Sequence, residues 1–148
     1  MIKTFRGILA DGEQNKIRLS TKKGKIGYKI IKFQCIPETV ASGSNEGLIV
    51  ISKVPGTGTP PTTLDLSDGN VLGAILWLRD QGTVAITSKT IIFDQEVFNQ
   101  DIFVNYEDAQ GSSGRMNYYI ELETFIQTDN QAAVSTLRDI RLNPQVGA

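Results

Sequence analysis

The residues able to do acid–base chemistry in this sequence are carboxylates, because the chain contains no histidine. Without histidine, Ser-His-Asp and Cys-His catalysis are excluded, and the commonest metal ligand is missing. Asp94, Glu96 and Asp101 lie close together in sequence, and Glu107 is adjacent to Asp108. Paired carboxylates can act as acid and base or bind calcium. Each group lies beside a predicted turn, where acidic residues are ordinarily solvated, and we favour solvated surface carboxylates.

Three further features that resemble ligand sites are incomplete. The segment Asp65–Asn70 has the polar residues of a calcium loop but the wrong spacing for an EF-hand, and we predict a turn there. Gly56-Thr57-Gly58 lacks the Gly-Lys-Ser/Thr ending of a phosphate loop. Cys35, the single cysteine, lies in an apolar strand-like run, which favours a buried thiol over a nucleophile. The sequence therefore predicts no catalytic, cofactor-binding or metal-binding residue.

Aromatic residues alternate with polar ones and offer a possible stacking platform for bases or sugars. They are Tyr28, Phe33, Phe103, Tyr106, Tyr118 and Tyr119. The same alternation fits core packing, which we favour. An outward-facing Tyr119 or Phe103 is expected to mark a subunit contact instead.

The elements that must position these residues are mostly strands, because alternation with a period of two dominates the sequence. The predicted strands are Thr4–Leu9, Lys16–Ser20, Ile26–Ile36, Leu48–Val54, Leu72–Leu78, Thr83–Phe93, Asn99–Tyr106 and Met116–Ile126. The apolar face switches near Ile30-Ile31, which indicates a β-bulge or a strand buried on both sides. The last two strands are predicted to be joined by a hairpin-type loop. The predicted fold is all-β: an antiparallel, jelly-roll-like β-sandwich of about eight strands.

We predict a single sandwich domain over residues 1–148, because the length suits one core and no linker divides the chain. At most one short helix is predicted, over Asp129–Arg138, with Asp129 as its cap; an extended arm is the alternative. Its modest apolar stripe consists of Ala132, Ala133, Val134 and Leu137. Residues 142–148 are predicted to form an extended C-terminal tail.

Two loops are candidate contact surfaces. The prolines and glycines of Pro55–Thr63 must leave the sheet, and this segment is interpreted either as a subunit contact or as a plain connection. A basic turn is predicted at Lys22-Lys23-Gly24-Lys25. The predicted subunit-contact residues are Lys22, Lys23, Lys25, Pro55, Pro60, Pro61 and Tyr119.

Charge is distributed unevenly along the chain. Residues 1–35 contain nine basic and two acidic residues, whereas the remainder contains six basic and fourteen acidic residues. Clustered cations can neutralise nucleic-acid phosphates. We favour solvated strand faces that meet an acidic region of the same or a neighbouring chain, and we expect no nucleic-acid partner.

The sequence shows no targeting or membrane segment. The start, Met1–Gly7, lacks the apolar stretch of a signal peptide, and no segment approaches the roughly 20 apolar residues that cross a bilayer. We therefore expect synthesis in the cytosol and no membrane partner. The lone cysteine suits a reducing compartment.

Seven stretches spread along the chain form one set: Thr4–Gly7, Ile17–Thr21, Gly27–Ile30, Ile92–Asp94, Phe98–Ile102, Asn117–Glu123 and Thr136–Arg141. Together they resemble a group of small virion structural proteins of marine tailed bacteriophages. The likeness spans almost the whole chain but is weak over residues 38–90. None of these stretches is a catalytic signature.

The resemblance implies a capsid decoration or minor capsid protein, made in the host cytoplasm and located in the virion. Its expected partner is the major capsid protein, and the expected oligomer is a homotrimer, with no cofactor. The alternative is a carbohydrate- or receptor-binding β domain of a phage tail or fibre. A third hypothesis is an enzyme that acts through Asp94, Glu96 and Asp101.

Overall fold

The structure is a computed structural model that describes residues 1–21, 24–39, 44–55, 63–79, 86–111 and 114–142. Eight strands and one helix lie within these residues. They are β1 (Ile2–Leu9), β2 (Gln14–Ile17), β3 (Ile26–Pro37), β4 (Asn45–Ser52), β5 (Val71–Arg79), β6 (Ile86–Ile92), β7 (Ile102–Asp108), β8 (Met116–Ile126) and α1 (Asp129–Leu142). The predicted all-β class with one C-terminal helix is confirmed.

The strands form two antiparallel sheets, one in the order β1–β8–β3 and the other in the order β2–β7–β4–β5–β6. The first strand pairs with the eighth and the second with the seventh, which is the nested order of a jelly roll. The sixth strand departs from that order, because it pairs with β5 and does not join β3. At the outer edge of β3, Tyr28 and Phe98 form an isolated bridge instead.

One core fills the space between the sheets. Its largest buried side chains, each 2% exposed or less, include Tyr28, Ile30, Ile49, Ile75, Phe98, Tyr106 and Ile120. The predicted bulge in β3 is confirmed, since the register with β8 shifts between Ile30 and Lys32. The extra residue allows Ile30 and Phe33, which lie on opposite faces of a regular strand, both to enter this core.

One predicted pairing is wrong. The segments β7 and β8 do not form a hairpin, because β7 pairs with β2 and β4 whereas β8 pairs with β1 and β3. Their connection therefore crosses from one sheet to the other. A short glycine-rich loop between two alternating segments is compatible with both arrangements, and only packing distinguishes them.

Several predicted boundaries also differ from the structure. Strand β2 ends at Ile17, β4 begins at Asn45, and β7 begins at Ile102, so Asn99 precedes it. The helix continues to Leu142, so the predicted C-terminal tail does not begin at that residue. Predictions for residues 56–62, 83–85, 112–113 and 143–148 lie outside the described residues.

The cap of the helix is Thr128, not Asp129. The amide of Gln131 donates to Thr128 Oγ1 at 3.2 Å, and the amide of Thr128 donates to Gln131 Oε1 at 3.0 Å. This reciprocal pair is a capping box, in which two unsatisfied backbone donors are bound by side chains. The sequence Thr-x-x-Gln carries that signal.

Candidate interaction surfaces

The three carboxylates that lie close together in sequence have different surroundings in the structure. Glu96 Oε1 lies 2.9 Å from Lys53 Nζ and 3.7 Å from Arg138 Nη2. Asp101 accepts hydrogen bonds from the amides of Leu19 and Ser20 at 2.7 and 2.8 Å. Asp94 is exposed. Each of the two bound carboxylates fastens one segment of the chain to another.

The two adjacent acidic residues Glu107 and Asp108 also differ in their surroundings. Asp108 is buried and accepts hydrogen bonds from the amides of Glu46 and Gln110 and from the side chain of Asn45. Burial raises the pKa of Glu107, with further contributions from Asp11 and Asp108. Among the described residues, no three acidic or thiol side chains come together in a way that could hold a metal ion.

Two smaller predictions are confirmed. Cys35 is buried, and burial raises the pKa of its thiol to about 12. Asp65–Asn70 forms turns in which the side chains of Asp65 and Asp68 accept bonds from the amides of Ser67 and Asn70. The carboxylates of that segment therefore bind their own backbone, as Asx turns do.

The aromatic residues separate into core and outward groups. Tyr28, Phe33, Tyr106 and Tyr118 are core residues, as expected. Phe103 and Tyr119 are half-buried on outer sheet faces. Phe103 lies under Lys16, whose Nζ is 5.9 Å from the centre of the ring.

An open groove surrounds Tyr119 on the outer face of the three-stranded sheet. It has a volume of about 540 Å³ and is lined by three consecutive residues from each of β1, β3 and β8. The outward side chains are Arg6, Ile8, Gln34, Ile36, Asn117 and Tyr119, and we call this set the groove. The register explains the cluster, because Arg6 and Gln34 both lie opposite Tyr119, and Ile8 and Ile36 both lie opposite Asn117.

The groove combines apolar side chains with polar groups that have no other role in the fold. Ile36, near the end of the edge strand β3, is 64% exposed. Within the described residues, the side chains of Arg6, Gln34 and Asn117 make no hydrogen bond or ion pair. Tyr119 donates a hydrogen bond of 2.7 Å to Glu121, which raises the pKa of the phenol. That bond holds the ring against the sheet.

Helix α1 is bound to the sandwich mainly through polar contacts. Asn99 is fully buried and donates to Thr136 Oγ1 at 2.8 Å, and Gln127 donates to Ser135 Oγ at 2.9 Å. Arg138 donates to the carbonyl of Val97. The helix thus binds the sandwich through its small and polar side chains.

Among the described side chains of α1, those on the side away from these contacts include exposed apolar residues. Val134 is 64% exposed and Leu137 is 62% exposed, and Ala133 beside them is also exposed. We call these three residues the helix face. Of the predicted apolar stripe, only Ala132 is buried, so the stripe was correctly located in sequence but faces outward.

The predicted contact residues are dispersed in the structure. Tyr119 lies in the groove, Pro55 is half-buried after β4, and Lys25 is exposed just before β3. The carbonyl of Lys25 accepts a bond from the amide of Gln127 at 2.7 Å, so Lys25 lies near the start of the helix. Lys22, Lys23, Pro60 and Pro61 lie outside the described residues. The other five groove residues carry no signal in the sequence, because no local pattern links three separate strands.

Comparison with known proteins gives no family for this chain. A scan against protein-family models found no match, and no curated protein matched the sequence. Among the described residues, no helix has the length and apolar character needed to span a bilayer.

Proposed function

We propose that this chain is a non-enzymatic structural protein of a phage virion: a capsid decoration or minor capsid protein that binds the major capsid protein and stabilises the shell. The observation that carries the proposal is a pair of exposed apolar surfaces, one on the three-stranded sheet and one on the helix that follows β8. These surfaces are the groove and the helix face.

The two surfaces are well separated. Tyr119 lies near the start of β8, and α1 follows its last residue, Ile126. At about 3.3 Å per residue, that stretch of strand spans roughly 23 Å. A protein with apolar contact surfaces at both ends of a strand is suited to bridging two neighbours. Exposed apolar surface of this kind is typical of interaction sites.

Two further observations support the same function. The nested strand order belongs to a fold that viral capsid domains and lectins use, which is support by analogy of fold alone. The likeness of seven stretches to marine phage virion proteins covers both ends of the chain. We propose a homotrimer as the assembling unit, because a shell with local three-fold axes binds a trimer at three equivalent places.

The direct test is the protein composition of purified particles of the phage that encodes the chain. Quantitative mass spectrometry should find it at a fixed ratio to the major capsid protein. A second measurement, light scattering of the purified chain, should give three times the 16.2 kDa mass. Particles that lack the chain would exclude the proposal, whereas a monomer would exclude only the trimer.

Surface variants test the two contact surfaces separately. Paired substitutions Ile36→Ser with Tyr119→Ser, and Val134→Ser with Leu137→Ser, should each reduce incorporation into particles by about tenfold or more. The matched control is Ile91→Ser, which removes a 44% exposed isoleucine from β6. Circular dichroism should show all three variants folded. Normal incorporation of both paired variants would contradict the bridging role.

A second candidate function is binding of carbohydrate at a tail or fibre. The observation that favours it is the outward ring of Tyr119 between the carboxamides of Gln34 and Asn117. Such groups can stack on a sugar and bind its hydroxyls. A glycan array probed with the purified chain tests it, and signal lost in Tyr119→Ser would support it.

A further inference from the structure

We propose that the groove binds an extended protein segment that carries an apolar side chain next to a carboxylate. The inference rests on the proposed structural function, because it specifies the chemistry of the partner at one of the two contact surfaces.

The shape and lining of the groove favour an apolar side chain at its centre. Ile8, Ile36 and the ring of Tyr119 come from three adjacent strands and lie on the same outer sheet face. An apolar side chain placed there removes apolar surface from water on both partners, at roughly 25 cal/mol per Å². A charged or hydroxylated group in the same position has no partner on the two isoleucines.

Charge complementarity favours a carboxylate beside that side chain. Arg6 is the only charged residue among those that line the groove, and no acidic group lies within ion-pair distance of it in the described part of the chain. In the strand register, Lys29 and Lys32 of the same sheet face lie opposite Glu123 and Glu121, whereas Arg6 lies opposite Tyr119. A guanidinium binds a carboxylate through two parallel hydrogen bonds, which also fixes the direction of the bound segment.

The remaining polar groups suit an extended backbone. The carboxamides of Gln34 and Asn117 each provide donors and an acceptor, and both lie within the groove. An extended segment presents alternating N–H and C=O groups, which such carboxamides can bind. A sugar presents hydroxyls around its whole ring, and Ile8 and Ile36 would leave several of them without partners. The lining therefore favours a peptide over a glycan.

The test is selection of a random twelve-residue peptide library displayed on phage against the immobilised full chain. We expect enriched sequences with an aliphatic or aromatic residue beside Asp or Glu. A synthetic peptide of the enriched sequence should bind at least about tenfold more weakly to Arg6→Gln and to Ile36→Ser. Lys32→Gln is the matched control, since it removes one cation from the same sheet face and should bind like wild type.

Four outcomes would overturn the inference. The first two are peptides enriched equally on wild type and on the Tyr119→Ser variant, and enriched peptides that contain no acidic residue. The other two are equal peptide affinity for Arg6→Gln and wild type, and glycan binding that depends on Tyr119. Each variant is first compared with wild type by thermal unfolding, so that loss of fold is recognised. Particles that contain the chain, together with no peptide binding, would reject this inference alone, and particles without the chain would reject the structural function alone.

Discussion

Burial of the Cys35 side chain controls the chemistry of the one thiol in the molecule. The raised pKa, about 12, leaves almost no thiolate at pH 8, and the thiolate is the reactive species. We expect native Cys35 to be alkylated by iodoacetamide at least about a hundredfold more slowly than in denaturant. Mass spectrometry of timed samples measures both rates. Equal rates would show that the thiol is accessible in the folded protein.

Gly7 is required by the close approach of a ring across the β1–β8 pair. A Cβ built on Gly7 would lie 2.6 Å from Tyr118 Oη, and this hydroxyl accepts a bond from Asn15 Nδ2 of the other sheet at 3.1 Å. We predict that Gly7→Ala lowers the free energy of unfolding by about 1–3 kcal/mol, because the ring must shift.

Urea denaturation measures the effect of Gly7→Ala. Thr4→Ala, at an exposed position of the same strand, is the control and should change stability by less than about 0.5 kcal/mol. A stability for Gly7→Ala equal to that of Thr4→Ala would contradict the packing of the ring against Gly7.

At the scale of elements, the docking of helix α1 depends on one buried amide. Asn99 donates to the carbonyl of Gly24 at 3.1 Å as well as to Thr136. We expect Asn99→Ala to destabilise the protein by about 1–3 kcal/mol, because the carbonyl of Gly24 and the hydroxyl of Thr136 lose their hydrogen-bond donor. In this variant, the amides of α1 should exchange with deuterium faster than they do in wild type, whereas those of β4 should change less.

Deuterium exchange followed by mass spectrometry provides the measurement of helix docking. Gln95→Ala is the control, because Gln95 is exposed in the same connection and should leave exchange unchanged. Unchanged exchange of α1 in Asn99→Ala would show that other contacts are sufficient to hold the helix.

The segment after β2 is fastened by a carboxylate, and this makes stability depend on pH. Burial by itself raises the pKa of Asp101, but hydrogen bonds from Ser20, Leu19 and Lys16 outweigh it and lower the pKa overall. An unfolded aspartate has a pKa of about 3.9. The stabilisation is therefore present above about pH 4 and is lost as pH falls through the lower folded value.

Asp101→Asn tests the pH dependence. Urea midpoints between pH 7 and pH 2 should fall less steeply below pH 4 in the variant than in wild type. Identical slopes would mean that Asp101 does not contribute to acid sensitivity.

At the scale of the whole molecule, the fold separates cations that are clustered in the sequence. The basic strand β3 lies beside the acidic strand β8, so that Lys29 and Lys32 lie opposite Glu123 and Glu121 in the register. Lys16 lies on the other sheet, 3.4 Å from Asp101. These three cations are therefore spread over two sheets, each with an acidic residue near it or opposite it.

This arrangement predicts weak affinity for nucleic acid. We expect no shift of duplex DNA in a gel assay at about 150 mM salt, because few uncompensated cations are available to displace counterions from phosphates. Micromolar binding that falls steeply with salt would contradict this distribution of charge and would indicate a basic surface.

Much of the core could be predicted from alternation in the sequence. Successive side chains of a strand point to opposite faces, so an apolar run such as Met116, Tyr118, Ile120 identifies its own buried face. The switch at Ile30 indicated a bulge or a strand buried on both sides, and the apolar stripe after Asp129 indicated a helix or an extended arm. These are local signals, and they do not depend on which strand lies next to which.

The sequence by itself therefore determined the all-β class and most core residues, and it left the C-terminal segment as a helix or an extended arm. Only the tertiary structure decided that β7 and β8 belong to different sheets, that Val134 and Leu137 of the helix face outward, and that Arg6, Gln34 and Tyr119 form one groove. The physical reason is that alternation is set by neighbouring residues, whereas strand pairing and surface clusters are set by packing between residues far apart in the chain.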